Sequence, residues 1–338
     1  MAGTVLVSGG SGYIAGFLIR QLVADGWTVH ATIRNIEGER RVRARLAVDD
    51  ERLHFFAADL VRDAGWAEAM AGCTHVAHVA SPFPAAHVDD PDELIVPARD
   101  GALRALRFAR DAGVKRFVLT SSVAAIAYGH PPGKQMFTEA DWSDATSPDV
   151  SPYAKSKTIA ERAARDWIAA EGGGMELVSI NPSLVVGPVI DADVSTSIEL
   201  VDKLLSGAYP GCPNIGFGIV DVRDLADLHV RALTAPDIAG ERFIASGRFF
   251  WLIDVARLLK ARLGIRARKV PARRLPDFVV RIVGRFDPLV RSIVSELGRT
   301  RATDPDHTKA VMDWETRDEA DSLVDCANSL IDHGIVAV

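Results

Sequence analysis

Cysteine is scarce in this sequence and widely scattered. Cys73, Cys212 and Cys326 form no C-x-x-C pair and have no histidine cluster beside them. That spacing argues against a metal site and predicts three reduced, structural thiols in a cytosolic protein. Long apolar runs are missing too, since none approaches the ~20 residues needed to cross a bilayer. A strand-like stretch begins at Thr4, which leaves no room for a signal peptide, so the expectation is a soluble, cytoplasmic chain with no membrane partner. Positive charge is not in surplus: the net charge of −6 disfavours nucleic acid or an anionic membrane as the main partner. There is no internal repeat and no low-complexity tail. What is left is ordinary globular material, 48% hydrophobic and 25% charged, and 338 residues suffice for one large domain with an appended lobe.

The stretch TVLVSGGSGYIAGFL, residues 4–18, carries the first positive signal. Thr4 to Val7 read as a short buried strand, Ser8 to Gly12 as a glycine turn, and Tyr13 onward as a helix. Such a turn aims backbone N–H groups and the positive end of a helix at one point, which suits a pyrophosphate. Glycine permits both the tight turn and the close approach of a ligand. Gly10-x-Gly12-x-x-Ala15 fits a dinucleotide fingerprint, and Gly9, Gly12 and Ala15 fit the related G-x-x-G-x-x-A spacing. Gly9, Gly12, Tyr13 and Ile14 are therefore candidate cofactor contacts.

Short apolar runs then alternate with helical patterns, predicting an α/β fold with a parallel sheet covered on both faces. Strands are expected at Thr28 to Ile33, Leu53 to Ala57, His75 to Ala80, Arg116 to Thr120, Glu176 to Ile180 and Gly216 to Asp221. Helices are expected at Tyr13 to Ala24, Glu39 to Val48, Trp66 to Met70, Asp92 to Ala112, Ser151 to Ala170 and Val222 to Leu233. Beyond Pro182 the alternation weakens, and after Trp251 the chain reads as mostly helical, with amphipathic segments at Leu252–Leu263 and Asp277–Leu297. The division expected is a dinucleotide-binding domain over 1–182 with a return segment at about 215–247. A smaller, mainly helical substrate lobe would take 183–214 and 248–338.

A fold of this kind that prefers NAD places an acidic residue about twenty residues after the glycines. Here the second strand ends in Thr32-Ile33-Arg34-Asn35, and a guanidinium at Arg34 suits the 2′-phosphate of NADP instead. Most of the arginines that follow read as a solvated basic helix. Tyr153 and Lys157 stand four apart on one helix face. A neighbouring ammonium favours a phenolate, which would let the tyrosine act as acid in reduction and base in oxidation. Thr120-Ser121-Ser122 ends the preceding strand, at the edge where parallel sheets bind ligands. Ser122 is the favoured donor to a substrate carbonyl oxygen and Ser121 the alternative.

In this order, VLVSGGSGYIA, VHATIR, AADL, VAHVASP, RFVLTSS, Trp142-Ser143-Asp144, YAKSK, INPSLVVGP and VDVRDLADLHV span residues 5–230. Together they resemble an extended short-chain dehydrogenase/reductase, of the dihydroflavonol reductase and cinnamoyl-CoA reductase-like group within the epimerase/dehydratase superfamily. The resemblance implies a Rossmann doubly wound sheet and NADP(H). It implies that Asp59 and Leu60 touch adenine, that Val79, Ala80 and Ser81 line the nicotinamide-side ribose, and that Tyr153 and Lys157 contact that ribose. Pro182 and Ser183 would flank the nicotinamide, and Arg41 matches a second basic position near the 2′-phosphate.

The sequence departs from the group at two places. Ile126-Ala127-Tyr128 stands where flavonoid reductases carry a polar residue, and Val150 to Lys157 lacks the N-W-Y-C-Y-G-K signature of cinnamoyl-CoA reductases. The expectation is a reductase of an aldehyde or ketone carbonyl on an apolar small molecule, with an aromatic one among the candidates, as a monomer or homodimer. Phe83, Tyr128, Phe137, Trp142, Phe217 and Phe249-Phe250-Trp251 are candidate pocket walls. The competing readings are a nucleotide-sugar epimerase or dehydratase, a hydroxysteroid-type dehydrogenase, and a non-catalytic NADP-binding regulator.

Overall fold

The computed structural model describes residues 3–48, 50–82, 90–131, 133–191 and 196–337, with the side chains of Thr196 and Leu289 left out. The first half alternates strand and helix: β1 (Thr4–Ser8), α1 (Tyr13–Ala24), β2 (Thr28–Ile33), α2 (Glu39–Leu46), β3 (Leu53–Ala57), α3 (Trp66–Met70) and β4 (His75–His78). It continues through α4 (Asp92–Asp111), β5 (Arg116–Thr120), β6 (Met136–Phe137), α5 (Pro152–Glu171), β7 (Glu176–Pro182) and β8 (Leu184–Val186). Then come α6 (Thr196–Ser206), β9 (Gly216–Asp221), α7 (Val222–Thr234), β10 (Arg242–Ala245), β11 (Phe249–Trp251) and α8 (Leu252–Leu263). The chain ends with α9 (Asp277–Val283), α10 (Pro288–Ser292), β12 (Ala302–Thr303), α11 (Asp306–Met312) and α12 (Glu319–Asp332).

Seven parallel strands form the main sheet in the order β10-β7-β5-β4-β1-β2-β3. The chain leaves β1 toward β2 and β3, then returns to β4 on the other side of β1. That reversal opens a crevice beyond the carboxyl ends of β1 and β4. Alternation along β1 sets the two layers. Val5 and Val7 pack into a core shared with α1, α7 and β10, through Leu18, Leu22, Leu225 and Phe243. Leu6 points the other way, to Trp66, Leu106, Phe117 and Leu177 beneath α3, α4 and α5. All three β1 residues are fully buried, as an interior parallel strand requires. Helix α5 starts where Ser151 and Pro152 predict: the Ser151 hydroxyl accepts from the Ala154 N–H at 3.2 Å, with proline in the first turn.

The smaller lobe has its own core of α6, α8 and α12 against a three-stranded sheet, β11-β9-β8. Three features differ from the sequence expectation. Strand β9 pairs with β8 and β11, so it is β10, on β7, that brings the chain back to the main sheet. Met312 and Trp314 pack into the main core, so the C-terminal segment serves both cores. The amphipathic stretch expected over Asp277–Leu297 breaks into α9, α10 and a short turn at Val294–Glu296. Gly284 ends α9 and Pro288 opens α10, and Arg291 Nε donates to the Gly284 carbonyl at 2.9 Å across the bend.

Candidate active site

The glycine turn is held from both sides. Gly9 N–H donates to the Thr32 hydroxyl at 3.1 Å and Gly10 N–H to the Thr32 carbonyl at 2.7 Å, tying the turn to the end of β2. Gly9 adopts φ +70°, and a Cβ there would lie 3.1 Å from both Cα and Cβ of Ala80. Only glycine lets β1 and β4 approach so closely at this point. Gly12 caps α1 with no side chain, so no cap hydrogen bond occupies the first N–H groups of the helix. On the β4 side, the Ser8 hydroxyl lies 3.0 Å from His78 Nδ1 and accepts from the Ala80 N–H, also at 3.0 Å. Burial, with Lys157 second, pushes His78 down to about 3, so the imidazole is neutral.

Arg34 is exposed at the end of β2. Two of the arginines after it are engaged: Arg43 with Glu39 at 3.1 Å and the Leu53 carbonyl at 2.9 Å, Arg45 with the Ser11 carbonyl at 2.5 Å. Arg41 is exposed on α2.

At the end of β5 the two serines part ways. Ser121 donates to Glu161 Oε2 at 2.6 Å, a buried bond that occupies its proton. Ser122 accepts from Ala124 N–H at 3.1 Å, is 3.5 Å from the Pro182 carbonyl, and shares a hydrogen bond with Tyr153. Lys157 Nζ lies 5.9 Å from the centre of the Tyr153 ring. Burial raises the Tyr153 phenol above its ordinary value and the Ser122 bond partly offsets it. The sequence predicts a phenol lowered by lysine; the shift runs the other way, set by desolvation, and the hydrogen bond that opposes it comes from Ser122. Burial also pushes Lys157 down to about 8, against the charge of Glu161.

These groups line one cleft of about 780 Å³ along the carboxyl edge of the sheet. It brings together Gly9, Gly12, Tyr13, Ile14, Arg34, Asp59, Leu60, Val79, Ala80 and Ser81 with Ser122, Tyr153, Lys157, Pro182 and Ser183. Arg41 does not line it. Of the aromatic candidates, Phe83 lies outside the described residues, and the others do not line the cleft either. Phe137 is buried against Ile126 and Ile244, and Trp142 is sandwiched between Arg162 and Arg242. Phe217, Phe250 and Trp251 pack on the core of the smaller lobe. Sequence reasoning missed Thr32, the Ser8–His78 pair and Glu161. The only available signal was position: Thr32 and His78 end strands, and Glu161 stands four residues beyond Lys157. A second depression, of about 650 Å³ around His75, Lys115 and Gly172 to Gly174, lies at the opposite edge of the sheet and holds none of these groups. Among the described residues no group of His, Cys, Asp and Glu could hold a metal ion, and no helix is long and apolar enough to cross a membrane.

The model of the NAD dependent epimerase/dehydratase family matches residues 5–244. Cinnamoyl-CoA reductase CAD2 of Medicago truncatula is 35% identical over 284 residues, covering 82% of this chain and 84% of the relative. Dihydroflavonol 4-reductase of Hordeum vulgare is 32% identical over 271 residues, covering 77% and 75%. Among solved structures, vestitone reductase of alfalfa superposes with a TM-score of 0.77 at 26% identity, covering 99% of this chain and 100% of that one. Yeast methylglyoxal/isovaleraldehyde reductase Gre2, complexed with NADPH, superposes at 0.83 with 24% identity, covering 98% and 100%. At that identity the likeness to Gre2 concerns the fold.

Proposed function

The chain belongs to the NAD dependent epimerase/dehydratase family, and we propose that within it the protein is an NADPH-dependent reductase of an aldehyde or ketone carbonyl. The observation that carries this is the meeting of Ser122, Tyr153 and Lys157 in the cleft that begins at the glycine turn. The similar proteins named as reductases support the same reaction class.

The residues present fit a dinucleotide phosphate. The side-chain-free cap at Gly12 leaves the N–H groups of Tyr13 and Ile14 for a pyrophosphate, and the positive φ of Gly9 keeps the approach open. Arg34, exposed at the tip of β2, suits a 2′-phosphate, where an epimerase that retains NAD prefers an acid. Asp59 and Leu60 would border the adenine, with Val79, Ala80, Ser81, Pro182 and Ser183 toward the nicotinamide. Bound NADPH supplies the hydride.

The chain supplies the rest. Ser122 accepts from Ala124 N–H and shares a hydrogen bond with Tyr153, so its hydroxyl stands beside the phenol, where a substrate oxygen gaining charge can take its proton in a hydrogen bond. Tyr153, kept protonated by burial, donates its proton to the same oxygen. The Lys157 ammonium beside the ring stabilises the phenolate left behind. Ser121 takes no part, because its proton belongs to Glu161. Intact Tyr153 and Lys157 also weigh against a non-catalytic regulator on the same fold.

The test is a panel of aromatic and aliphatic aldehydes, ketones and diketones, followed by the absorbance loss of NADPH. The expected result is turnover of at least one class. NADPH binding without oxidation across the whole panel would overturn the proposal in favour of a regulator.

A further inference from the structure

A buried carboxylate lies directly behind the reacting groups. Tyr153, Lys157 and Glu161 follow one another at four-residue spacing on α5, so they share one face of the helix. Glu161 is 1% exposed, and both of its oxygens are engaged. Oε2 accepts from Ser121 Oγ at 2.6 Å, Asn181 Nδ2 at 2.8 Å and an Arg242 terminal nitrogen at 3.3 Å. Oε1 accepts from Arg242 Nε at 2.7 Å. The Asn181 amide also donates to the Ser122 carbonyl at 3.1 Å. Glu161 therefore controls the hydroxyl of one serine directly and the backbone of the other through a single side chain.

Its partner Arg242 is fixed independently. It is 5% exposed, donates to the carbonyls of Glu139 and Asp141 at 2.6 Å each, and lies 3.7 Å from the centre of the Trp142 ring. A buried ion pair is weak evidence for stability, because well-packed apolar residues often serve as well. Here the contacts of the pair converge on the end of β5, the one strand end that carries the proposed oxyanion donor. The groups facing Lys157 are few: Tyr153 and Glu161 on α5, and neutral His78 on β4. Arg242 on β10 and Arg165 on α5 act on Glu161 from behind.

Resting on the reductase reading above, we propose that Glu161 is a positioning residue of the reduction. It holds Ser121 out of the reaction, anchors the Ser122 backbone through Asn181, and sets a carboxylate one helical turn behind Lys157.

The test compares Glu161→Gln, the double variant Glu161→Gln with Arg242→Gln, and Glu161→Asp. The double variant leaves no unpaired buried charge and keeps the site testable where the single one does not fold. Two readouts are taken: the pH profile of kcat/KM, and the titration of Lys157 in cofactor-free protein by 13Cε-lysine NMR, assigned with Lys157→Arg. Both the alkaline limb and the Lys157 titration are expected to move to lower pH by about one unit in Glu161→Gln, and by less in the double variant, where the Arg242 cation behind the carboxylate is lost as well. In Glu161→Asp the charge is kept, and both return toward the wild-type position. A purely structural carboxylate would lower Tm and leave both readouts where they are. Profiles and titrations that superimpose on the wild type in folded Gln variants overturn the proposal. If the wild type reduces no carbonyl at all, it is the reductase reading that fails, while the NMR shift still judges the charge on Lys157.

Discussion

Replacing Gly9 by alanine distinguishes a turn built for a ligand from one built only for packing. Gly9 sits at φ +70°, where an L side chain costs about 1–2 kcal/mol of backbone strain. The added methyl would stand 3.1 Å from both Cα and Cβ of Ala80, so the end of β4 has to give by a few tenths of an ångström. Gly113, between α4 and β5 at the opposite edge of the sheet, separates the two effects. Its φ is +75°, and nothing lies within 4 Å of a Cβ built on it. At about 2.1 cal/mol/K per residue, unfolding this chain carries an entropy of about 0.7 kcal/mol/K, so each kcal/mol lowers Tm by about 1.4 °C. Gly113→Ala should thus lower Tm by about 1.5–3 °C and leave NADPH binding unchanged. Gly9→Ala should lower Tm by at least as much. It should also weaken NADPH about tenfold, the equivalent of about 1.4 kcal/mol, because Ala80 and the N–H groups of the turn move together. Scanning calorimetry and a fluorescence titration of NADPH read the two quantities. Equal NADPH affinities in the two variants would refute the reasoning.

Arg34→Ser removes the one of the two arginines proposed for the 2′-phosphate that lines the cleft, a charge-assisted contact worth about 1.5–3 kcal/mol. NADPH should bind about 10- to 100-fold more weakly with NADH unaffected in the same titration; parallel loss of both would move the role of Arg34 away from the phosphate. Lys157, pushed down to about 8 by burial, is charged below that pH and neutral above it. The kcat/KM profile should therefore fall as pH rises through about 8, and a limb appearing only near the ordinary lysine value of about 10.4 would contradict the assignment.

Much of this fold was legible because its signals are local. Thr28–Ile33, Leu53–Ala57 and Arg116–Thr120 read as strands from short β-rich runs, and Ser151-Pro152 announced the start of α5. The breaks came where pairing is long-range. Leu184–Val186 is three residues long and becomes a strand only because β9 lies beside it. The β10 strand needs β7 as a neighbour, and the helical pattern across Asp277–Leu297 hid the bend at Gly284. At the site, spacing identified Tyr153 and Lys157 as one helix face. Ser122 was favoured over Ser121 without a physical ground, because the difference lies in Glu161, forty residues away from Ser121. The direction of the Tyr153 shift was equally out of reach, since it depends on how much water the fold removes from the phenol. Phe137, Trp142, Phe217, Phe250 and Trp251, expected around a substrate, are spent on cores and on Arg242, which pattern alone does not reveal.

The central claim is that Tyr153 delivers the proton in an NADPH-dependent carbonyl reduction. Its most direct test is the kcat of Tyr153→Phe on a carbonyl the wild type reduces, measured beside the NADPH dissociation constant of the same preparation. The substitution removes one hydroxyl from a half-buried ring and leaves the glycine turn and Arg34 untouched. The predicted result is a fall in kcat of about 10²- to 10⁴-fold with NADPH affinity within about threefold of the wild type. Near-normal turnover in a variant that still binds NADPH would contradict the account.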